Sequence, residues 1–194
     1  AFEVPTFYSG LVITVLAGSI ILGGFKAIAR FAERVVPLMG ILFVAAAVII
    51  TLINLPQVPA MLKDVFLSAF GLQEAGAGAM GAAIKNGIQR GLYSNEAGAG
   101  SVPHAAASAS PIPNHPVTQG YIQMLGVFFD TIVLCSCTAV VILLADIDIS
   151  GEMEGIRLTQ SAMTAHLAQG GVYFVAAAIT LFAFTSVVAN YAYA

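Results

Sequence analysis

Long apolar runs separated by short polar interruptions dominate the chain. Five such segments stand out, at about residues 8–24, 35–55, 75–110, 121–145 and 170–194. A spanning helix needs about 20 consecutive apolar residues, and the first two and the last two segments approach or reach that length. The third is longer but interrupted, because glycines and polar residues break its pattern. Pro56-Gln57-Val58-Pro59 closes the second segment. Between Ala60 and Phe70, Met61, Val65 and Phe66 recur at helical spacing with Lys63 and Asp64 opposite, which predicts a short amphipathic helix lying on the outer membrane surface. The pattern predicts an all-α integral membrane protein with about five transmembrane segments, the third one broken, forming a single membrane domain over residues 1–194.

Composition agrees with the pattern. Of 194 residues, 59% are hydrophobic and 9% charged, whereas soluble domains carry about 25% charged residues. The net charge of −3 and the lack of a basic patch exclude nucleic acid as a partner. Seven Lys and Arg are present, and three of them, Lys26, Arg30 and Arg34, lie between the first two segments. The positive-inside rule makes that connection cytoplasmic, and the acidic stretch Asp148, Glu152 and Glu154 then falls outside. The chain starts without Met and stops inside an apolar pattern, as expected of an internal piece of a longer protein.

Chemistry is concentrated in few places. The stretch Gly91-Leu92-Tyr93-Ser94-Asn95-Glu96-Ala97-Gly98-Ala99-Gly100-Ser101 puts a carboxylate, an amide, hydroxyls and glycines inside a membrane segment. Irregular backbone at membrane depth is tolerated only where it is buried in protein or lines a cavity. Unwound backbone at Gly98 and Gly100 would free carbonyls for a cation and helix N-termini for an anion. Asp130 lies nine residues into the fourth segment, about 13 Å along a helix, near the midplane of a ~30 Å core. A carboxylate there costs ~2.5–3.5 kcal/mol or more and needs a partner, a proton or an ion. For Glu96 and Asp130 alike, the alternative is a structural hydrogen bond to a neighbouring helix. Gly76 through Gly91, including the pair Gly87 and Gly91, is expected to serve close helix packing, and Arg90 with Glu96 is a possible ion pair. Thr185 and Ser186 either bond back to the preceding turn or join backbone carbonyls around a hard cation.

Other motifs carry less. Gly76-Ala77-Gly78-Ala79-Met80-Gly81 fits GxGxxG, but no strand precedes it. Cys135 and Cys137 read as small packing residues. His104, His115 and His166 lack metal spacing, and no catalytic constellation is present, so no enzyme activity and no cofactor are expected.

Two blocks carry a family resemblance. Gly87-Ile88-Gln89-Arg90-Gly91-Leu92-Tyr93-Ser94-Asn95-Glu96-Ala97-Gly98-Ala99-Gly100-Ser101-Val102-Pro103 resembles the signature of the alanine/glycine:cation symporter family. So does His115-Pro116-Val117-Thr118-Gln119-Gly120 followed by Gln123-Met124-Leu125-Gly126-Val127-Phe128-Phe129-Asp130-Thr131. The resemblance implies a fragment of the leucine-transporter fold, with inverted repeats, in which these segments are helices four through eight. It implies sodium-coupled symport of small neutral amino acids, alanine or glycine above all, by alternating access in the plasma membrane, with Na+ as coupling ion. Proton coupling, or a channel with a re-entrant pore loop, is the alternative. Under the resemblance Tyr93 closes over the substrate, with Ser94, Asn95 and Glu96 at the break. Asp130 and Thr131 offer a cation contact. Thr185, Ser186 and the carbonyl of Phe182 form a sodium site. Ser186 also faces substrate, as does Asn190, where the family often has Trp.

Overall fold

The computed structural model describes residues 6–70, 85, 87–89, 91–96, 99–147 and 155–193. Within these, regular secondary structure is helical throughout. In chain order, α1 is Thr6–Ile21, α2 is Phe25–Ile53, and a 3-10 turn at Leu55–Gln57 leads into α3, Val58–Ala69. Residues 87–89 and 91–94 are helical, followed by α4 at Ser101–Ser108 and α5 at Pro116–Phe128. A π-helical stretch, Phe129–Leu134, joins α5 to α6, Cys135–Leu143. After it come α7, Ile156–Leu167, and α8, Gln169–Tyr193.

Among the described residues, three helices are long and apolar enough to cross a membrane: Lys26–Ile53, Pro116–Leu143 and Gln169–Ala192. The first segment is shorter, because Leu22-Gly23-Gly24 turns the chain after Ile21 and Gly24 adopts φ +72°. Helix α2 then begins at Phe25. Lys26, Arg30 and Arg34 therefore stand on its opening turns and not in an irregular connection. Large side chains such as Leu11, Val15, Ile41, Leu52, Leu125 and Phe128 are more than half exposed. Water would not sustain so much exposed apolar surface, whereas lipid does.

The described chain divides into two units, Ala1–Ala46 with Ala145–Ala194, and Ala47–Leu144. In the first, Ala17 of α1, Ile28 of α2, and Phe184 and Val188 of α8 form a buried cluster, flanked by Ile13, Ile20, Ile21, Phe31 and Ala192. The rings of Phe31 and Phe184 meet edge to face at 5.5 Å, and those of Phe43 and Phe174 stack at 6.5 Å. The chain reverses between α7 and α8 at Ala168, which holds φ +49°. Gly171 lies so near the carbonyl of Met163 that a Cβ would collide with it. Glycine is what allows this reversal.

In the second unit, Pro59 stands in the first turn of α3, where its missing N–H costs nothing. The helix buries no residue among those described. His115 caps α5: its Nδ1 accepts from the N–H of Val117 at 3.2 Å, with Pro116 in the first turn.

Candidate functional site

The third segment breaks where its polar residues cluster. The helix ends at Ser94; the N–H of Glu96 then donates to the carbonyl of Tyr93, at 3.3 Å, and that of Ala99 to Glu96, at 3.0 Å. Glu96 sits at φ +54° and Gly100 at φ +95°. A left-handed non-glycine residue costs about 1–2 kcal/mol, so surrounding contacts must hold Glu96 there. Helix α4 restarts at Ser101, and its first bond runs from the His104 N–H to the Gly100 carbonyl. Gly100 thus serves the unwinding expected of it; Gly98 and Arg90 lie outside the described residues.

Facing this break is the π-helical stretch. Its extra residue per turn is closed by the Cys135 N–H donating to the Asp130 carbonyl, a geometry that recurs at functional sites. The two irregularities are tied together side by side. The Ser94 hydroxyl donates to Asp130 Oδ2 at 2.9 Å, and the Asn95 amide donates to Thr131 Oγ1 at 3.0 Å. Two consecutive residues of the break therefore hold two consecutive residues of the π stretch.

The Cys135 thiol lies 3.1 Å from Ser94 Oγ. The single hydroxyl hydrogen of Ser94 goes to Asp130. Cys135 S–H then donates to Ser94 Oγ. Cys135 is thus more than the packing residue its sequence context suggests. A legible signal was available: Thr131, Cys135 and Thr138 recur at i, i+4 and i+7, a polar stripe on an otherwise apolar helix. Beside these bonds opens a cleft of about 980 Å³, lined by Gln89, Tyr93, Ser94, Thr131, Cys135 and Thr138 among others. Tyr93 is 83% exposed at its wall, and Glu96 is exposed.

Gly87 and Gly91 also line this cleft. A Cβ on either would meet nothing within 4 Å among the described residues. Among the described residues, no helix packs against either glycine. Gly76, Gly78 and Gly81 lie outside the described residues.

The remaining predicted residues stand on α8, in the other unit. Thr185 is half-buried, and its hydroxyl donates to the Phe182 carbonyl at 2.9 Å. This is the bond back to the preceding turn that competes with a ligand role. It also sets the two oxygens named as cation ligands side by side, and the hydroxyl oxygen keeps its lone pairs. Ser186 and Asn190 are exposed and, four residues apart, share one helix face. Among the described residues no group of three His, Cys, Asp or Glu could hold a metal ion. The Phe182 carbonyl and the Thr185 hydroxyl are oxygen donors, the kind a hard cation takes.

The apolar helices, with a polar break tied to a distorted neighbour, define an all-α membrane protein. The family model for the sodium:alanine symporter family matches residues 1–194, and the chain belongs to that family. Its relatives include the "Uncharacterized transporter YaaJ" of Escherichia coli (strain K12), 43% identical over all of this chain and 42% of the relative. The "Probable sodium/glutamine symporter GlnT" of Bacillus subtilis (strain 168) is 40% identical over all of this chain and 40% of the relative. The "Sodium/proton-dependent alanine carrier protein" of Bacillus sp. (strain PS3) is 36% identical over 98% of this chain and 46% of the relative. The chain thus spans less than half the length of these relatives. It is part of a family of transporters, and a sodium-coupled amino-acid carrier is the general character of the named members.

Proposed function

We propose that this chain is the part of a sodium-coupled symporter for small neutral amino acids that holds one of two helix breaks at the substrate site. The observation that carries this reading is the double tie of Ser94 to Asp130 and Asn95 to Thr131 across the break. An unwound segment held in place at membrane depth is what a substrate of mixed charge needs. Freed carbonyls meet its ammonium group or the cation, and a helix N-terminus meets its carboxylate.

In this reading the whole chain is one membrane domain, a leucine-transporter-type fragment contributing helices four through eight at the plasma membrane. Tyr93, Ser94, Asn95, Glu96, Ser186 and Asn190 contact the amino acid. Phe182, Thr185 and Ser186, with Asp130 and Thr131, contact sodium. Cation binding orders the break, ordering raises affinity for the amino acid, and linkage makes the effect reciprocal. Transport follows from a cycle between two states that each ligand biases by its differential affinity. The residues supply binding and orientation; no covalent step is involved.

Asn190 favours a wider substrate range than alanine and glycine, since an amide is smaller and more polar than the Trp common in the family. A relative named for glutamine fits that view. Proton coupling is the second reading, favoured by the Asp130 carboxylate, already an acceptor for Ser94, and by a relative named for both ions.

The test is uptake by the full-length protein in proteoliposomes, with sodium or choline outside and across pH. Saturable uptake against a gradient that requires sodium is expected. Uptake that persists in choline and follows a pH gradient overturns sodium coupling in favour of protons, and ohmic conduction would make the broken segment a pore loop.

A further inference from the structure

The cations at the start of α2 form a patch that the transport site leaves unused. Lys26, Arg30 and Arg34 recur every four residues, and all three are exposed. At about 100° per residue they fall near 0°, 40° and 80° around the helix, while Phe31, Val35 and Ile28 fall near 140°, 180° and 200°. Ile28 and Phe31 are the residues that pack on Ala17, Phe184 and Val188. The stripe therefore points away from the packed side. Glu33, also exposed, lies at its edge and reduces the net charge of the group to +2.

Helix length sets the depth of this stripe. The 29 residues of α2 extend about 43 Å, against a hydrocarbon core of ~30 Å. Residues 35–53 carry no charge, and about 20 apolar residues are what the core requires. Residues 25–34 then extend outward from the core edge, with the three cations stepped about 6 Å apart along the axis.

We infer that Lys26, Arg30 and Arg34 form a docking stripe for the headgroups of anionic lipids. Charge complementarity decides the partner: stepped cations at headgroup depth match lipid phosphates, and lysine or arginine near a membrane surface attracts anionic lipid. The inference is independent of the transport reading, since none of these residues touches the break.

The experiment is native mass spectrometry of the detergent-purified full-length protein titrated with phosphatidylglycerol or phosphatidylcholine. Preferential retention of phosphatidylglycerol is expected. Its affinity should fall about fivefold for each cation removed in the variant carrying Lys26→Gln, Arg30→Gln and Arg34→Gln. Raising the salt should weaken it in the unaltered protein, a readout that needs no variant to fold. Equal retention of both lipids overturns the inference, as does an unchanged affinity in the variant or a binding insensitive to salt. Displacement of the lipid by inorganic phosphate at constant ionic strength would also overturn it, assigning the stripe to a free anion.

Discussion

Replacing Ser94 by alanine removes the donor that holds the helix break to Asp130, and its effect can be sized from the geometry. The bond is 2.9 Å long and runs from a hydroxyl to a carboxylate oxygen. Hydrogen bonds to charged groups contribute about 1.5–3 kcal/mol net. Ser94 is exposed on the cleft and Asp130 half-buried, which puts this bond at or below the lower end, about 1–1.5 kcal/mol. Since 1.4 kcal/mol is tenfold, the sodium concentration for half-maximal uptake should rise about five- to tenfold in Ser94→Ala. The loss stays partial because Asn95 still bonds to Thr131. The assay is a double-mutant cycle on the full-length transporter with Ser94→Ala, Asp130→Ala and their combination, read as sodium dependence of alanine uptake. A coupling of about 1 kcal/mol is expected, since residues sharing a bond depart from additivity by about 0.5–3 kcal/mol. The crossed pair Ser94→Ala with Thr131→Val, which shares no direct bond, should show the smaller coupling of the two. Additivity of Ser94 with Asp130 would refute the reasoning. So would a coupling seen in thermal stability but not in sodium dependence, which would reduce the tie to a structural brace.

Further outcomes follow from individual positions. Gly171→Ala should lower the melting temperature sharply, because the added Cβ strikes the Met163 backbone and overpacking costs about 1–3 kcal/mol; Gly87→Ala, facing open space, should leave it unchanged or raise it, and equal effects would contradict the packing described. Gly100→Ala meets no atom within 4 Å but inherits φ +95°, so a cost of about 1–2 kcal/mol should appear as weakened substrate binding, and unaltered binding would show that the break does not need that conformation. Thr185→Val should raise the sodium requirement if its hydroxyl serves the ion, while Thr185→Ser restores it; a variant indistinguishable from wild type would leave the hydroxyl to its bond with Phe182. Asn190→Trp should narrow the substrate range, and an unchanged uptake profile across alanine, serine and glutamine would sink that assignment.

What could be read in the sequence follows from how strongly each feature is constrained locally. Apolar length fixed α2, α5 with α6, and α8, because a lipid-spanning helix has no other way to satisfy its backbone. The break was legible because Asn95, Glu96 and the following glycines are poor value in a membrane helix unless the helix stops there. Two features were hidden. Helix α2 starts ten residues before its apolar run, since a helix continues through exposed charged residues as readily as through apolar ones, and charge pattern alone cannot separate a loop from a solvated helical turn. The π stretch at Phe129–Leu134 left no compositional mark either, because its cause lies elsewhere in the chain.

That last point bears on how the site works. An unbroken α-helix would satisfy the backbone of residues 129–134 on its own, so the distortion has to be held by something outside it. The contacts suited to that are those of Ser94 and Asn95 with Asp130 and Thr131, and the reverse holds for the left-handed Glu96, which follows directly after Asn95. Each irregularity supports the other, so neither is expected to persist alone. A ligand that inserts between Ser94 and Asp130 would therefore weaken the support of both, leaving the bond of Asn95 to Thr131 as the remaining tie. Such a coupled pair can have two discrete arrangements, the kind of element whose populations a ligand shifts by binding one of them better.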